Sequence, residues 1–201
     1  PALLRQIDGH SGNARAVSIS PDGKKLISGG YDRTICLWDF DSTEKVRSWQ
    51  KHEMNIYSLW FLADSQRFMS GDLKGDIYLW DIEQAEPLAR FDAVALHSYN
   101  AGQRVNFGGV RALASTADDA QIAAGGLHKA TNPLGAVHEP LVLRFAMQEQ
   151  ELLRTHTADG ITGGSIWRLR YLPDRTLLGV CGGISGGFLL FWSADQDLAV
   201  H

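Results

Sequence analysis

The chain has 201 residues, 44% of them hydrophobic, with 21% charged residues and 21 glycines, so a packed core is within reach without disulfides or a structural metal. A net charge of −4 gives no electrostatic basis for binding nucleic acid or an anionic membrane. No apolar run approaches the roughly 20 residues that cross a bilayer as a helix, and the two cysteines, Cys36 and Cys181, supply neither a disulfide framework nor a zinc set.

The chain opens PALLRQ, with neither an initiator Met nor the charged and apolar regions of a signal peptide. The compartment therefore stays open. The cytoplasm is the first choice, and a secreted or periplasmic location would need a leader upstream. Residues 2–7, ALLRQI, read as a lone strand. From there the sequence repeats itself. Residues 9–39, GHSGNARAVSISPDGKKLISGGYDRTICLWD, align without a gap on residues 51–81, KHEMNIYSLWFLADSQRFMSGDLKGDIYLWD. His10 falls on His52, Asp22 on Asp64, Ser28-Gly29 on Ser70-Gly71 and Trp38-Asp39 on Trp80-Asp81, all at an offset of 42. Within the first copy AVSIS, KKLIS and TICLW alternate or run apolar, separated by the turns PDG and GGYDR. They predict strands a, b and c near 14–20, 24–29 and 34–39, with an outer strand d near 44–49. The second copy closes with a d strand near 86–91. Two degenerate copies follow. Residues 110–126 align at an offset of 96 and predict a d strand at 149–154. Residues 166–182 align at an offset of 152 and leave 198–201 as a truncated d strand. The closing Trp-Asp becomes Phe145-Ala146 and then Trp192-Ser193. No helix is predicted.

A period of about 40–45 residues with a G-H…W-D signature resembles the WD40-repeat family. The resemblance implies an all-β fold, a β-propeller of four-stranded antiparallel blades. Its blades lie at about 8–49, 50–91, 92–154 and 155–201, and residues 1–7 form the outer strand of a preceding blade. These four blades read as part of a larger ring. The alternative is a closed four-bladed ring in which residues 2–7 pair beside the strand near 188–192. The segments LHSYNAGQRVNFGGVRALA and CGGISGGFLLFW carry a narrower resemblance to bacterial, planctomycete-like WD40 proteins with enlarged loops. Such proteins are sometimes fused to other modules, so a regulatory domain of a larger protein is one alternative function.

In this family the signature residues form a buried hydrogen-bond network. The resemblance assigns it to His10, Ser28, Asp32 and Trp38 in the first copy. Asp accepts from His, His bonds Ser, and Ser accepts from the indole N–H. In the second copy Lys74 stands at the Asp position, so His52, Ser70 and Trp80 are expected to keep only part of the network. Copies three and four have lost it. A catalytic Ser–His–Asp reading of the same residues has little weight, because the repeat accounts for every member and its spacing.

The extra length in the degenerate copies falls at 92–109, 127–139 and 155–165. By the family's geometry all three lie on one face, called the top, whereas the a–b turns at 116–119 and 173–175 stay short. Long loops on a rigid scaffold are where function concentrates. At the upper start of each strand a stand Arg15, Tyr57, Arg111 and Trp167, residue types enriched at interface hot spots. Ordinary packing of a family-consensus Arg is the plainer reading of that column. With Tyr99, Arg104 and His128 from the loops, these four are the candidate partner-binding residues. They predict a non-catalytic scaffold for a protein or peptide partner, with no cofactor, no metal, no nucleic acid and no membrane. The rival is a metal-binding or hydrolytic site built from His97, His128, His138, Glu139 and His156. No H-x-x-x-H or C-x-x-C spacing supports it. The G-x-S-x-G run at 183–187 precedes FLLFW, a strand, where a hydrolase would need a helix.

Overall fold

The computed structural model describes residues 5–131, 138–183 and 186–193. Four antiparallel sheets follow one another along the chain. The first holds β1 (Ala14–Ile19), β2 (Lys25–Gly30), β3 (Ile35–Asp39) and β4 (Lys45–Trp49). The second holds β5 (Ile56–Phe61), β6 (Arg67–Asp72), β7 (Asp76–Asp81) and β8 (Ala89–Asp92). Next comes a separate two-stranded hairpin, β9 (His97–Asn100) and β10 (Val105–Gly108). The third sheet holds β11 (Ala112–Ser115), β12 (Gln121–His128), β13 (Glu139–Ala146) and β14 (Leu152–His156). The fourth holds β15 (Gly164–Tyr171), β16 (Leu177–Gly183) and β17 (Gly186–Trp192). In each sheet the strands pair in sequence order, so every connection is a hairpin. The fold is all-β, with three four-stranded antiparallel blades and a fourth of which three strands lie among the described residues.

Several elements differ from their sequence reading. Of residues 2–7, residues 5–7 are described and lie in no strand. Arg5 turns back to the first blade, donating to the carbonyls of Phe40 and Asp41 at 3.1 and 2.9 Å. Among the described residues β17 pairs only with β16, and the d strand expected at 198–201 lies outside them. The third d strand starts three residues late, at Leu152. Its turn places Gln150 at φ 58° and returns through Ala146 N–H to Glu151 O, 2.9 Å. The stretch 92–109 is more than a loop. A 3₁₀ turn at Val94–Leu96 leads into the β9–β10 hairpin.

The core sits between sheets, because each blade is apolar on both faces. Ile27, Ile35, Leu37 and Trp49 of the first blade pack on Ile56, Leu59, Phe61, Phe68 and Trp80 of the second. Met69, Ile77, Leu79 and Phe91 meet Leu113, Ile122, Leu143 and Phe145 of the third, with Ala93, Leu96 and Val110 filling the same seam. Ala112, Ala114, Ala123 and Val142 meet Ile166, Leu169, Leu177, Leu190 and Trp192 of the fourth. The small residues of the third blade let the larger ones of the fourth come close. The opposite face of the first blade is bare. Val17 and Ile19 are 63% and 51% exposed, where their repeat equivalents Leu59 and Phe61 are 7% and 5% exposed.

The a–b turns tie neighbouring blades together at the lower end. Ser65 Oγ accepts from Asp22 N–H at 3.1 Å, Asp119 accepts from Ala63 N–H at 2.9 Å, and Arg175 donates to Asp118 at 2.7 Å. One such bond joins each consecutive pair, giving the upper face a braced base.

Candidate partner-binding surface

The network of the first blade is fully assembled. Trp38 Nε1–H donates to Ser28 Oγ at 2.8 Å, Ser28 Oγ lies 2.7 Å from His10 Nε2, and His10 Nδ1 lies 2.9 Å from Asp32. The indole can only donate, so the hydroxyl proton goes to Nε2 and the imidazole donates from Nδ1. Trp38 is buried, and the side chains of His10 and Asp32 are only 8% and 10% exposed. Burial alone would raise the Asp32 carboxyl. Hydrogen bonds from the Thr34 N–H, His10 and the Ser11 N–H more than offset it and hold the group below its ordinary value. A carboxyl depressed in the folded state adds stability that is present above the unfolded value near pH 4 and lost as pH falls through the folded value. Asp32→Asn is therefore expected to cost about 1–3 kcal/mol at pH 7. Its deficit should shrink at pH 3, read as urea midpoints at the two pH values. A deficit equal at both would exclude the carboxylate as its source.

The second blade corrects the sequence reading. Its network is complete, and its acid is Asp72. His52 Nδ1 lies 2.9 Å from Asp72, His52 Nε2 lies 2.7 Å from Ser70 Oγ, and Trp80 Nε1–H donates to Ser70 at 2.8 Å. Lys74, at the aligned position, reaches outward to Glu53 at 2.9 Å. The acid comes from the last residue of β6, because Asp72 also accepts the N–H groups of Lys74 and Asp76 and closes the b–c turn itself. The run Ser70-Gly71-Asp72 was the available signal. It places a carboxylate beside the turn in a copy that seemed to lack one.

The four residues at the starts of strands a form a single stack. Arg15 lies 4.1 Å from the centroid of the Tyr57 ring. Arg111 lies 5.6 Å from the same ring and 4.9 Å from that of Trp167. Their local backbone explains the arrangement. The ladder register shifts between Ala14 and Ala16, between Ile56 and Ser58, and between Ile166 and Arg168. In the third blade Arg111 N–H bonds Gly125 O, the residue that Ala112 faces. Arg15, Tyr57 and Trp167 are each the extra residue of a bulge, which turns the side chain out of the ladder, and Arg111 stands one residue before β11. They line a depression of about 320 Å³ together with Arg168, a residue the sequence reading missed. An adjoining cavity of about 420 Å³ shares Arg111 and Trp167 and reaches Leu127, His138 and Ser165.

The loop candidates stand apart, and none of Tyr99, Arg104 and His128 lines either cavity. Tyr99 is exposed on β9, and Arg104 is exposed at φ 55° in the turn of the same hairpin. His128 is half-buried at the end of β12, 3.3 Å from Glu139, and burial keeps its imidazole below its ordinary value. The rival metal set is dispersed. His97 bonds Asn106, Glu139 is held by Lys129, and His156 lies against the Trp192 ring. No cluster of three metal-ligating side chains occurs among the described residues. Cys36 and Cys181 are buried, and burial pushes the Cys181 thiol up to about 11. No described helix is long and apolar enough to cross a membrane.

Comparison with known proteins bears on the first two blades. Residues 1–39 and 43–81 match the model of the WD domain, G-beta repeat. The chain is 41% identical over 59 residues to Protein groucho of Drosophila melanogaster, a stretch covering 28% of this chain and 8% of that protein. It is 49% identical over 45 residues to the General transcriptional corepressor TUP1 of Saccharomyces cerevisiae, covering 22% and 6%. It is 39% identical over 49 residues to WD repeat-containing protein 3 of Homo sapiens, covering 24% and 5%. These stretches span less than a tenth of each relative's own length.

Proposed function

Proceeding from the WD repeats in its first two blades, we propose that this chain is a non-catalytic scaffold that binds a protein or peptide partner through its upper face. One observation carries the reading. Four residues from four blades, Arg15, Tyr57, Arg111 and Trp167, meet in one solvent-facing stack beside two cavities. Arg, Tyr and Trp are the side chains that most often anchor interfaces, and here a braced sheet framework pre-orients them. TUP1, one of the proteins these repeats are similar to, is by its name a general transcriptional corepressor. The Ser–His pairs are better explained as structure, since the same Trp-Ser-His-Asp chain occurs in both blades with the indole N–H on the hydroxyl oxygen.

The partner surface extends over blades three and four, where Tyr99 and Arg104 stand exposed on the inserted hairpin. Shortening that insertion is a poor test, because Ala93 and Leu96 are buried in the seam between the second and third blades. Point substitutions are cleaner. Trp167→Ala is expected to weaken partner binding by 2 kcal/mol or more, roughly thirtyfold. Tyr99→Ala and Arg104→Ala should leave stability within about 0.5 kcal/mol. The assay is a quantitative pull-down from native lysate with wild type and each variant, beside their thermal midpoints. If Trp167→Ala folds and keeps the same partners at the same yield, the upper-face reading is wrong.

A further inference from the structure

We infer that the depression at Arg15, Tyr57, Arg111, Trp167 and Arg168 recognises an acidic segment of a protein, taking Asp or Glu carboxylates onto its guanidinium groups. The inference rests on the reading of this column as the partner surface, and it names the chemistry of the partner.

Three arginines meet here and no carboxylate lines the depression. Three other arginines have acidic partners, Arg67 with Asp64, Arg90 with Asp76 and Arg175 with Asp118, and Arg5 and Arg33 donate to backbone carbonyls. Among the described residues Arg15, Arg111 and Arg168 have no ion pair. Arg15 donates only to the Tyr31 hydroxyl, at 3.4 Å. Arg111 is partly buried against two rings, and its Nε is buried without an acceptor. A partly desolvated cation with an idle donor is unfavourable unless something negative completes it. In a chain of net charge −4, this cationic patch is set against the overall balance, so the attraction is local and sensitive to salt.

Arg15 and Arg111 both lie against the Tyr57 ring. Each guanidinium is a planar fork of donors that pairs with a planar carboxylate through two parallel hydrogen bonds, and the phosphoserine and RNA probes below compete with that pairing. The rings add platforms for the stems of the same acidic side chains. In the adjoining cavity Ser165 Oγ is buried, only 2% of that residue is exposed, and the hydroxyl has no partner among the described residues. It is a waiting hydrogen bond for the backbone flanking the acidic residue.

The test uses the whole chain and fluorescence anisotropy at about 0.1 M salt. The probes are a labelled glutamate-rich decapeptide, the same peptide with Gln for Glu, the same with phosphoserine for Glu, and a single-stranded RNA decamer. The Glu peptide is expected to bind at least about tenfold more tightly than each of the other three, with affinity falling as salt rises. Arg15→Gln and Arg111→Gln are each expected to weaken it at least about fivefold. Arg15 is exposed, so its variant keeps the test valid even if Arg111→Gln lowers the thermal midpoint. Equal binding of the Glu and Gln peptides, tighter binding of the phosphopeptide or the RNA, or indifference to Arg15→Gln would overturn the inference. If the Glu peptide fails while Trp167→Ala still strips partners from lysate, this inference falls and the partner surface stands. If both fail, both fall.

Discussion

Replacing Asp72 by alanine is expected to destabilise the protein by about 2–4 kcal/mol, whereas Lys74→Ala is expected to cost no more than about 0.5 kcal/mol. Asp72 is fully buried and accepts from three groups: the His52 ring and the N–H groups of Lys74 and Asp76. Truncation leaves these donors without an acceptor in a site closed to water, and each lost charge-assisted bond is worth about 1.5–3 kcal/mol. Compensation by relaxation of the turn keeps the total below the simple sum. Lys74 makes only a surface ion pair with Glu53, its side chain 46% exposed. Asp72→Asn keeps one acceptor oxygen and should fall between the two. Urea midpoints of the three variants check the order. A costly Lys74→Ala beside a neutral Asp72→Ala would return the network to the aligned position and refute the geometry.

Gly75→Ala is expected to cost about 3 kcal/mol or more, and Gly23→Ala about 1–2 kcal/mol. Both glycines sit at positive φ, 96° and 72°, where an L residue carries a penalty of roughly 1–2 kcal/mol. Only their surroundings differ. A Cβ on Gly23 meets nothing within 4 Å, whereas one on Gly75 would lie 2.5 Å from the carbonyl oxygen of Ala93 and 2.8 Å from Val94 Cα. Those are backbone atoms, and Ala93 N–H also bonds Gly75 O at 2.9 Å. The new methyl must therefore push the inserted segment away from the turn that Asp72 closes. Overpacking of this kind adds about 1–3 kcal/mol. Chemical denaturation of both variants separates the backbone penalty from the clash. Equal losses at the two sites would mean that the seam between turn and insertion is soft.

Much of this protein was written in its sequence. The 42-residue offset between two intact copies, with alternating apolar runs between turn residues, determined an all-β chain of repeated four-stranded units. Periodicity sets which side chains share a face, and copies of one pattern bury that face against each other. The polar chain of the first blade was legible for a related reason. The resemblance to the WD40 repeat implies the order of its residues, and Trp38, Ser28, His10 and Asp32 meet in that order.

What the sequence could not determine was decided in three dimensions. Alignment by position put Lys74 where an acid belongs. The turn put Asp72 there instead, because a carboxylate at the end of β6 can bind both the turn's N–H groups and His52. The inserted stretch at 92–109 looked like a free loop, yet Leu96 is sealed into a core and the rest folds as a hairpin. Burial of one leucine outweighs the chain entropy that a loose insertion would retain. The column at Arg15, Tyr57, Arg111 and Trp167 was visible only as four letters at equivalent positions. Bulges turn Arg15, Tyr57 and Trp167 out of their ladders, Arg111 stands just before its own, and the packing of successive blades brings the four within stacking distance. Sequence fixes which groups are available. The inter-blade packing, which depends on side-chain volume across distant copies, decides which of them meet.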